Sequence, residues 1–259
     1  LIRVASRVEL TWLEDLGGVT EGDEVAWSEG EQRVTAERVR RYRALVLSRK
    51  QVPLQDREAA AECLLRATVD SLERGLGLQE ADREVLHRMS LIARLLPEEG
   101  FPEDTHRWLT DQLPRLCAGR SSWRELQSLT PGARLLDGLD WSARTRLETL
   151  APERIEVPSG SRLRLSYPAE GAPYLAVRVQ EVFGWEATPT IARGRQRIVL
   201  HLLNPAQRPL QVTEDLESFW TRTWPEVRGE MRSRYPKHRW PEDPRSAEPS
   251  RRTTQRRKR

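Results

Sequence analysis

Apolar and charged residues alternate through "DEVAWSEGEQRVTAERVRRYRALVLSRK". Val25 and Trp27 precede a turn at Glu29–Gly30, then come Val34 and Ala36, and later Tyr42, Leu45 and Leu47. Period-two alternation broken by a glycine turn predicts a β-hairpin with its charged side chains in water. Residues 1–52 therefore read mostly as strand, part of a small barrel or sheet. A hairpin alone is marginal in water. This suggests that the rest of such a domain precedes Leu1, as does a start that is not Met and falls inside the alternating segment "LIRVASRVEL".

The period changes at Pro53. Asp56 can cap "REAAAECLLRATVDSLERG", in which Leu64, Leu65, Val69, Leu72 and Leu76 recur at helical spacing before Gly75 or Gly77 ends the run. A second helix is expected over residues 79–96, with Val85, Met89, Ile92, Leu95 and Leu96 inward and Pro97 as the stop. Shorter helices are expected over 104–117, 121–129, 131–138 and 140–150, the last with Asp140 as N-cap. Short loops between amphipathic segments make residues 53–150 an all-helical unit.

From Ala151 alternation returns. "RIEVPSGSRLRLSYP" reads as strand, turn, strand; "YLAVRVQEVFGW" starts as a strand and finishes with helical spacing. "RQRIVLHLLNP" and "RPLQVTED" bracket a turn at Asn204–Gln207 and predict a second hairpin. "TEDLESFWTRTWPEVRGEMRSRYP" supplies one or two helices, with Thr213 as a possible cap and Leu216, Phe219, Trp220 and Trp224 buried. The fold class is thus α+β: the end of a β domain, a helical connector (53–150) and a mixed α/β domain (151–244). Residues 245–259 hold almost nothing apolar and are expected to be disordered.

Composition sharpens this picture in two places. The 259 residues carry a net charge of +4, but residues 245–259 alone contribute +6, leaving the body at −2. The body is electrostatically mixed, so a phosphate-binding surface across all of it is not expected. Cys63 and Cys117 both fall in helical patterns and read as core fillers in a reducing cytosol. No run approaches the ~20 apolar residues that span a bilayer, so no membrane role is expected.

The sequence has no Gly-Lys pair and hence no phosphate loop, no Asp-Glu-x-His or Asp-Glu-x-Asp stretch to hold magnesium, and no nucleophile elbow. His87, His106, His201 and His238 are isolated from one another and from the cysteines, so no metal signature emerges. His201, inside "IVLHLL", reads as a core or half-buried histidine. The segment supplies no catalytic residue and calls for no cofactor of its own.

Two segments are candidates for nucleic acid. In "ARGRQR", Arg193, Arg195 and Arg197 share one face if the chain is extended, a spacing that can follow a phosphate backbone or simply guard a strand edge. In "RSRYPKHRWPEDP", Pro236, Pro241 and Pro244 rule out a continuous helix and favour an extended path that displays Tyr235 and Trp240 among Arg234, Lys237 and Arg239. Such a segment can stack bases and pair phosphates, or plug an apolar pocket as a tether while its cations snorkel. The tether is favoured. The tail "RRTTQRRKR" fits either an RNA contact or a solubilising end.

The blocks "VPSGSRLRLSYP", "LAVRVQEVFGW", "LHLLNPAQRPLQVTEDLESFW" and "RSRYPKHRWPEDP", in that order, closely resemble the C-terminal domain of the HrpB family of bacterial DEAH-type ATP-dependent RNA helicases. More loosely, "RVASRVELTWLEDL" and "RRYRALVLSRK" resemble the oligonucleotide-binding (OB)-like region of that family, and residues 53–150 its helical connector. The resemblance implies a cytoplasmic parent whose motor lobes, with ATP and magnesium, lie upstream of Leu1. RNA and those lobes would be the partners, and no catalytic residue transfers to this numbering. Where the family has Gly-Gly-Arg followed by apolar residues, this chain reads Arg193-Gly194-Arg195-Gln196-Arg197, a more basic loop. A non-catalytic protein–protein adaptor is the rival expectation.

Overall fold

The computed structural model describes residues 8–129 and 139–251. The fold is α+β, and the chain divides into two units, one of Leu1–Gln79 with His106–Gly138 and one of Glu80–Thr105 with Leu139–Arg259. The helical stretch after Pro53 is shared between them. The alternating start up to Arg7, the helix expected over 131–138 and the last eight residues of the basic tail lie outside the described residues.

The first unit holds a three-stranded antiparallel meander: β1 (Val19–Ser28), β2 (Arg33–Tyr42) and β3 (Leu45–Val52). Its register sets Trp27 opposite Val34 and Val25 opposite Ala36, as the alternation demands. Three strands are fewer than the five of an OB barrel. Both faces of the meander are laced by ion pairs, Arg38–Asp23 on the face of Val34 and Ala36 and Arg41–Glu24 and Arg49–Glu37 elsewhere. One expectation fails here. Leu10–Asp15 is a short helix (α1) rather than strand, and Gly17 and Gly18, at φ 70° and 96°, turn the chain from it into β1.

Helices α2 (Arg57–Val69), α3 (Leu72–Leu76), α5 (Thr105–Cys117) and α6 (Trp123–Ser128) complete this unit. Asp56 caps α2, accepting from the backbone N–H of Glu58 and Ala59. The run expected to be continuous to Gly75 breaks at Asp70–Ser71, and Gly77 ends α3 in the left-handed conformation. The core gathers Val34, Ala60, Leu64, Cys117, Trp123 and Leu126, with Trp27 packed 4.8 Å from Trp123.

The second unit is built on α4 (Glu80–Leu95), α7 (Trp141–Leu150) and the C-terminal sheets. Buried Arg88 binds α4 to the end of α7: its Nε donates to the Ala151 carbonyl at 2.6 Å and its guanidinium pairs with Glu148 at 2.5 Å. Asp140 caps α7, as expected. A hairpin of β4 (Arg154–Glu156) and β5 (Arg162–Arg164) follows. The larger sheet has the order β10–β9–β6, from β6 (Tyr174–Arg178), β9 (Val199–Leu203) and β10 (Pro209–Thr213). Strands β9 and β10 form the expected hairpin, whereas β6 lies parallel to β9. Between β6 and β9 a small pair, β7 (Thr190–Ile191) and β8 (Gln196–Arg197), occupies the crossover.

Helix α8 (Leu216–Ser218), a π-helical turn (Phe219–Thr223) and α9 (Trp224–Arg234) run on without a break. The cap is Asp215, which accepts from the Ser218 N–H at 3.0 Å; Thr213, the expected cap, donates its hydroxyl to the Asp215 carbonyl. This helix buries Phe219, Trp220 and Trp224 around Phe183. Residues 245–251, expected to be disordered, are bonded instead: Ser250 N–H donates to the Gln180 carbonyl and Arg251 Nε to the Ser159 carbonyl. Backbone partners supplied by a turn at Val157–Ser161 and by Gln180 hold a segment that lacks apolar residues of its own. No helix among the described residues is long and apolar enough to cross a membrane.

Candidate nucleic-acid interface

The basic loop at Arg193–Arg197 is not extended. Ala192 and Arg193 take left-handed backbone, with φ 50° and 54°, and Gly194 follows at 85°. The coil folds the first two arginines onto the end of α4. Arg193 pairs with Glu99, and Arg195 donates to the Leu95 carbonyl at 2.5 Å while lying 3.6 Å from Glu98. Leu95 ends α4, so a guanidinium there satisfies a carbonyl that lacks a helical donor and opposes the negative end of the helix dipole. The Glu99 carboxylate is buried and takes Arg146 as a second partner at 3.4 Å. Arg193 and Arg195 are thus neutralised within the unit. Arg197 ends β8 and is exposed.

The stretch from Arg232 to Pro244 divides likewise. Helix α9 continues through Arg234, whose guanidinium pairs with Glu230 one turn earlier. Pro236 stops it. The chain then turns, with Tyr235 N–H on the Met231 carbonyl and His238 N–H on the Tyr235 carbonyl, in place of the extended path expected from the prolines. The turn directs Trp240 inward. It is 7% exposed, lies 6.0 Å from the Trp224 ring, and donates Nε1–H to the Tyr235 carbonyl at 2.9 Å. Arg228 grips the same segment, reaching the Trp240 carbonyl at 3.0 Å and the Glu242 carboxylate at 3.0 Å. Tyr235 is half-buried, Arg239 pairs with Glu248, and Lys237 is exposed. Burial, with Arg178 nearby, lowers the pKa of His238.

The two segments settle on different parts of the unit, one on the end of α4 and the other on α9. Among the described residues no hydrogen bond or ion pair joins them. Nor is any group of three or more His, Cys, Asp and Glu side chains placed to hold a metal ion.

A buried polar knot centres on Glu181. Burial pushes the pKa of Glu181 up, but hydrogen bonds from Ser161 (2.5 Å), Arg178 (2.9 Å) and Ser159 (3.0 Å) outweigh it and hold the carboxyl below its ordinary value. Sequence reasoning also missed the neighbour of His201. Tyr174 stacks on it, with ring centroids 4.4 Å apart and planes 13° apart. The signal is weak, because the two lie on strands paired in parallel across a long crossover.

A family model described as "ATP-dependent helicase C-terminal" matches residues 108–244. The chain is 38% identical over 245 residues to the ATP-dependent RNA helicase HrpB of Escherichia coli (strain K12), a match covering 91% of this chain and 30% of that protein. It also resembles the crystal structure of the E. coli DExH-box NTPase HrpB, with TM-score 0.74 at 35% identity, over 95% of this chain and 31% of that one. The crystal structure of the E. coli DEAH/RHA helicase HrpB matches with TM-score 0.62 at 34% identity, over 86% of this chain and 29% of that one. The chain therefore spans about a third of the length of these relatives. Matched by the family model over more than half of its residues, and carrying the fold of these structures, this chain belongs to the ATP-dependent helicase C-terminal family of the HrpB type.

Proposed function

We propose that this chain is the non-catalytic C-terminal region of an ATP-dependent RNA helicase, stabilising the assembled motor and adding surface for single-stranded RNA. The observation that carries the reading is the alignment of 91% of the chain with 30% of an RNA helicase, in a sequence that contains no phosphate loop. ATP and magnesium belong to the motor portion of such a protein, and this segment supplies no ligand to either. The exposed cations of the two candidate segments that pair with no carboxylate among the described residues, Arg197, Arg232 and Lys237, are available for phosphate, whereas Arg193, Arg195, Arg234 and Arg239 hold carboxylates of their own unit. The free thiols of Cys63 and Cys117 suit work in a reducing cytoplasm.

A second reading, a protein-binding adaptor, is favoured by one feature. Val8, Leu10, Trp12 and Leu16 on and around α1, and Leu45 on the β2–β3 hairpin, are all exposed apolar side chains of the first unit. Salt separates the two. Phosphate contacts make log affinity fall linearly with log salt, while an apolar interface barely responds. The purified chain is expected to release no phosphate from ATP, with or without RNA, and to bind a single-stranded oligonucleotide with a negative salt slope. Sustained hydrolysis by the chain, free of contaminating ATPase, refutes the reading, as does RNA affinity that ignores salt.

A further inference from the structure

The β10–β9–β6 sheet has one face in the core and one toward solvent. Leu175, Val177, Leu200 and Leu202 are wholly buried, so their alternating neighbours face outward: Tyr174, Ala176 and Arg178 on β6, and Val199, His201 and Leu203 on β9. Val212, opposite His201 on β10, is 56% exposed. The register pairs Tyr174 with Val199 and Ala176 with His201, so the two rings are diagonal neighbours, within reach of each other across the strands. They stack nearly parallel at 4.4 Å while both remain half-buried rather than enclosed.

Carboxylates near this face lie outside its strands: Glu181 pairs with Arg178, and Glu214 follows β10. None of the three strands contains an Asp or Glu, in a chain of which 32% is charged. Arg197 shares the alternation of Val199 and His201 and stands just before β9, while Arg208 stands in the β9–β10 turn beyond its other end. The stretch from Arg197 to Leu203 spans about 20 Å of strand. Both arginines are exposed, and neither side chain makes a hydrogen bond or ion pair among the described residues.

We propose that the outer face of the β10–β9–β6 sheet is a stacking platform for single-stranded RNA, on which a base extends the Tyr174–His201 stack while Arg197 and Arg208 take backbone phosphates. This rests on the reading that the chain adds RNA-binding surface to a helicase, and it places that surface on one sheet. Planar rings accept any base on their π-faces, and guanidinium groups at either end follow the backbone without reading sequence. A protein partner would find the same apolar floor at Ala176, Val199 and Leu203, but would have no need for a ring stack bracketed by two unpaired cations.

The test is fluorescence anisotropy of a labelled single-stranded oligo(A) with the 259-residue chain, beside an abasic strand of the same length. The abasic strand is expected to bind about tenfold more weakly. His201→Ala is expected to cost about tenfold in affinity for oligo(A) and nothing for the abasic strand, while Tyr174→Phe, which keeps the ring, retains binding. Arg197→Ala and Arg208→Ala, surface changes that spare the core, are each expected to reduce the salt slope by about one. Binding of oligo(A) that none of these changes affects overturns the platform but leaves an RNA-binding role on another surface. Failure of the unaltered chain to bind any oligonucleotide overturns both. Variants that keep RNA affinity but abolish self-association in sedimentation reassign the face to a protein contact and likewise overturn the proposal.

Discussion

Replacing Trp240 by Ala tests whether the Pro-rich segment after α9 is part of the core or a displayed ligand. The side chain is 7% exposed, stacks obliquely on Trp224 and spends its Nε1–H on the Tyr235 carbonyl. Truncating such a buried indole costs about 3–5 kcal/mol, the lost transfer energy plus the cavity left behind. In a domain of about 150 residues each kcal/mol moves Tm by ~2–4 °C, so a fall of roughly 6–20 °C is expected in the transition of the second unit. Differential scanning calorimetry reads it, with Trp240→Phe as an intermediate because it keeps a ring but not the N–H. Lys237→Ala, at an exposed position, should leave Tm unchanged. An unaltered Tm for Trp240→Ala, together with lost oligonucleotide affinity, would refute the packing argument and make the indole a base-stacking group.

Two further outcomes follow from single contacts. Glu181 is held below its ordinary pKa in the folded protein, so its bonds to Ser161, Arg178 and Ser159 add stability that is complete above the unfolded carboxyl pKa and is lost as pH falls through the depressed folded value. Glu181→Gln should therefore flatten the acid side of the stability–pH curve measured by urea unfolding between pH 7 and pH 3; an unchanged slope counts against the knot. A methyl group on Gly75 would lie 2.8 Å from Thr68 Cγ2 and 2.9 Å from Trp123 Nε1, so Gly75→Ala should destabilise the first unit by about 1–3 kcal/mol despite alanine's better helix propensity. Urea midpoints followed by tryptophan fluorescence measure it, and a stabilised variant would contradict the close approach.

Much of this architecture can be read from neighbouring residues, because the forces that set it are local. Val25, Trp27, Val34 and Ala36 announce their hairpin by alternation, and Asp56 and Asp140 announce helix starts by their caps. The path of Arg193 and Arg195 is not legible in the sequence, because it depends on left-handed backbone at Ala192 and Arg193, residues that seldom adopt it, and on carboxylates nearly a hundred positions away. The prolines around Lys237 suggested extension, yet Trp240 follows the stronger pull of an aromatic cluster. Tyr174 and His201 meet only through parallel pairing across a crossover, which no local pattern encodes.

The closing segment of the second unit bears on how that unit is made. Pro244, Ser250 and Arg251 bond back to Gly184, Gln180 and Ser159, and Trp240 seals the aromatic cluster from the same side. During synthesis these residues emerge after the strands and helices they bind, so the earlier elements must wait, incompletely sealed, until translation has passed Arg251. Ribosome stalling or proteolytic clipping before Trp240 leaves a nearly complete domain with Trp224 uncovered, the form in which it is most exposed to aggregation and most dependent on chaperones.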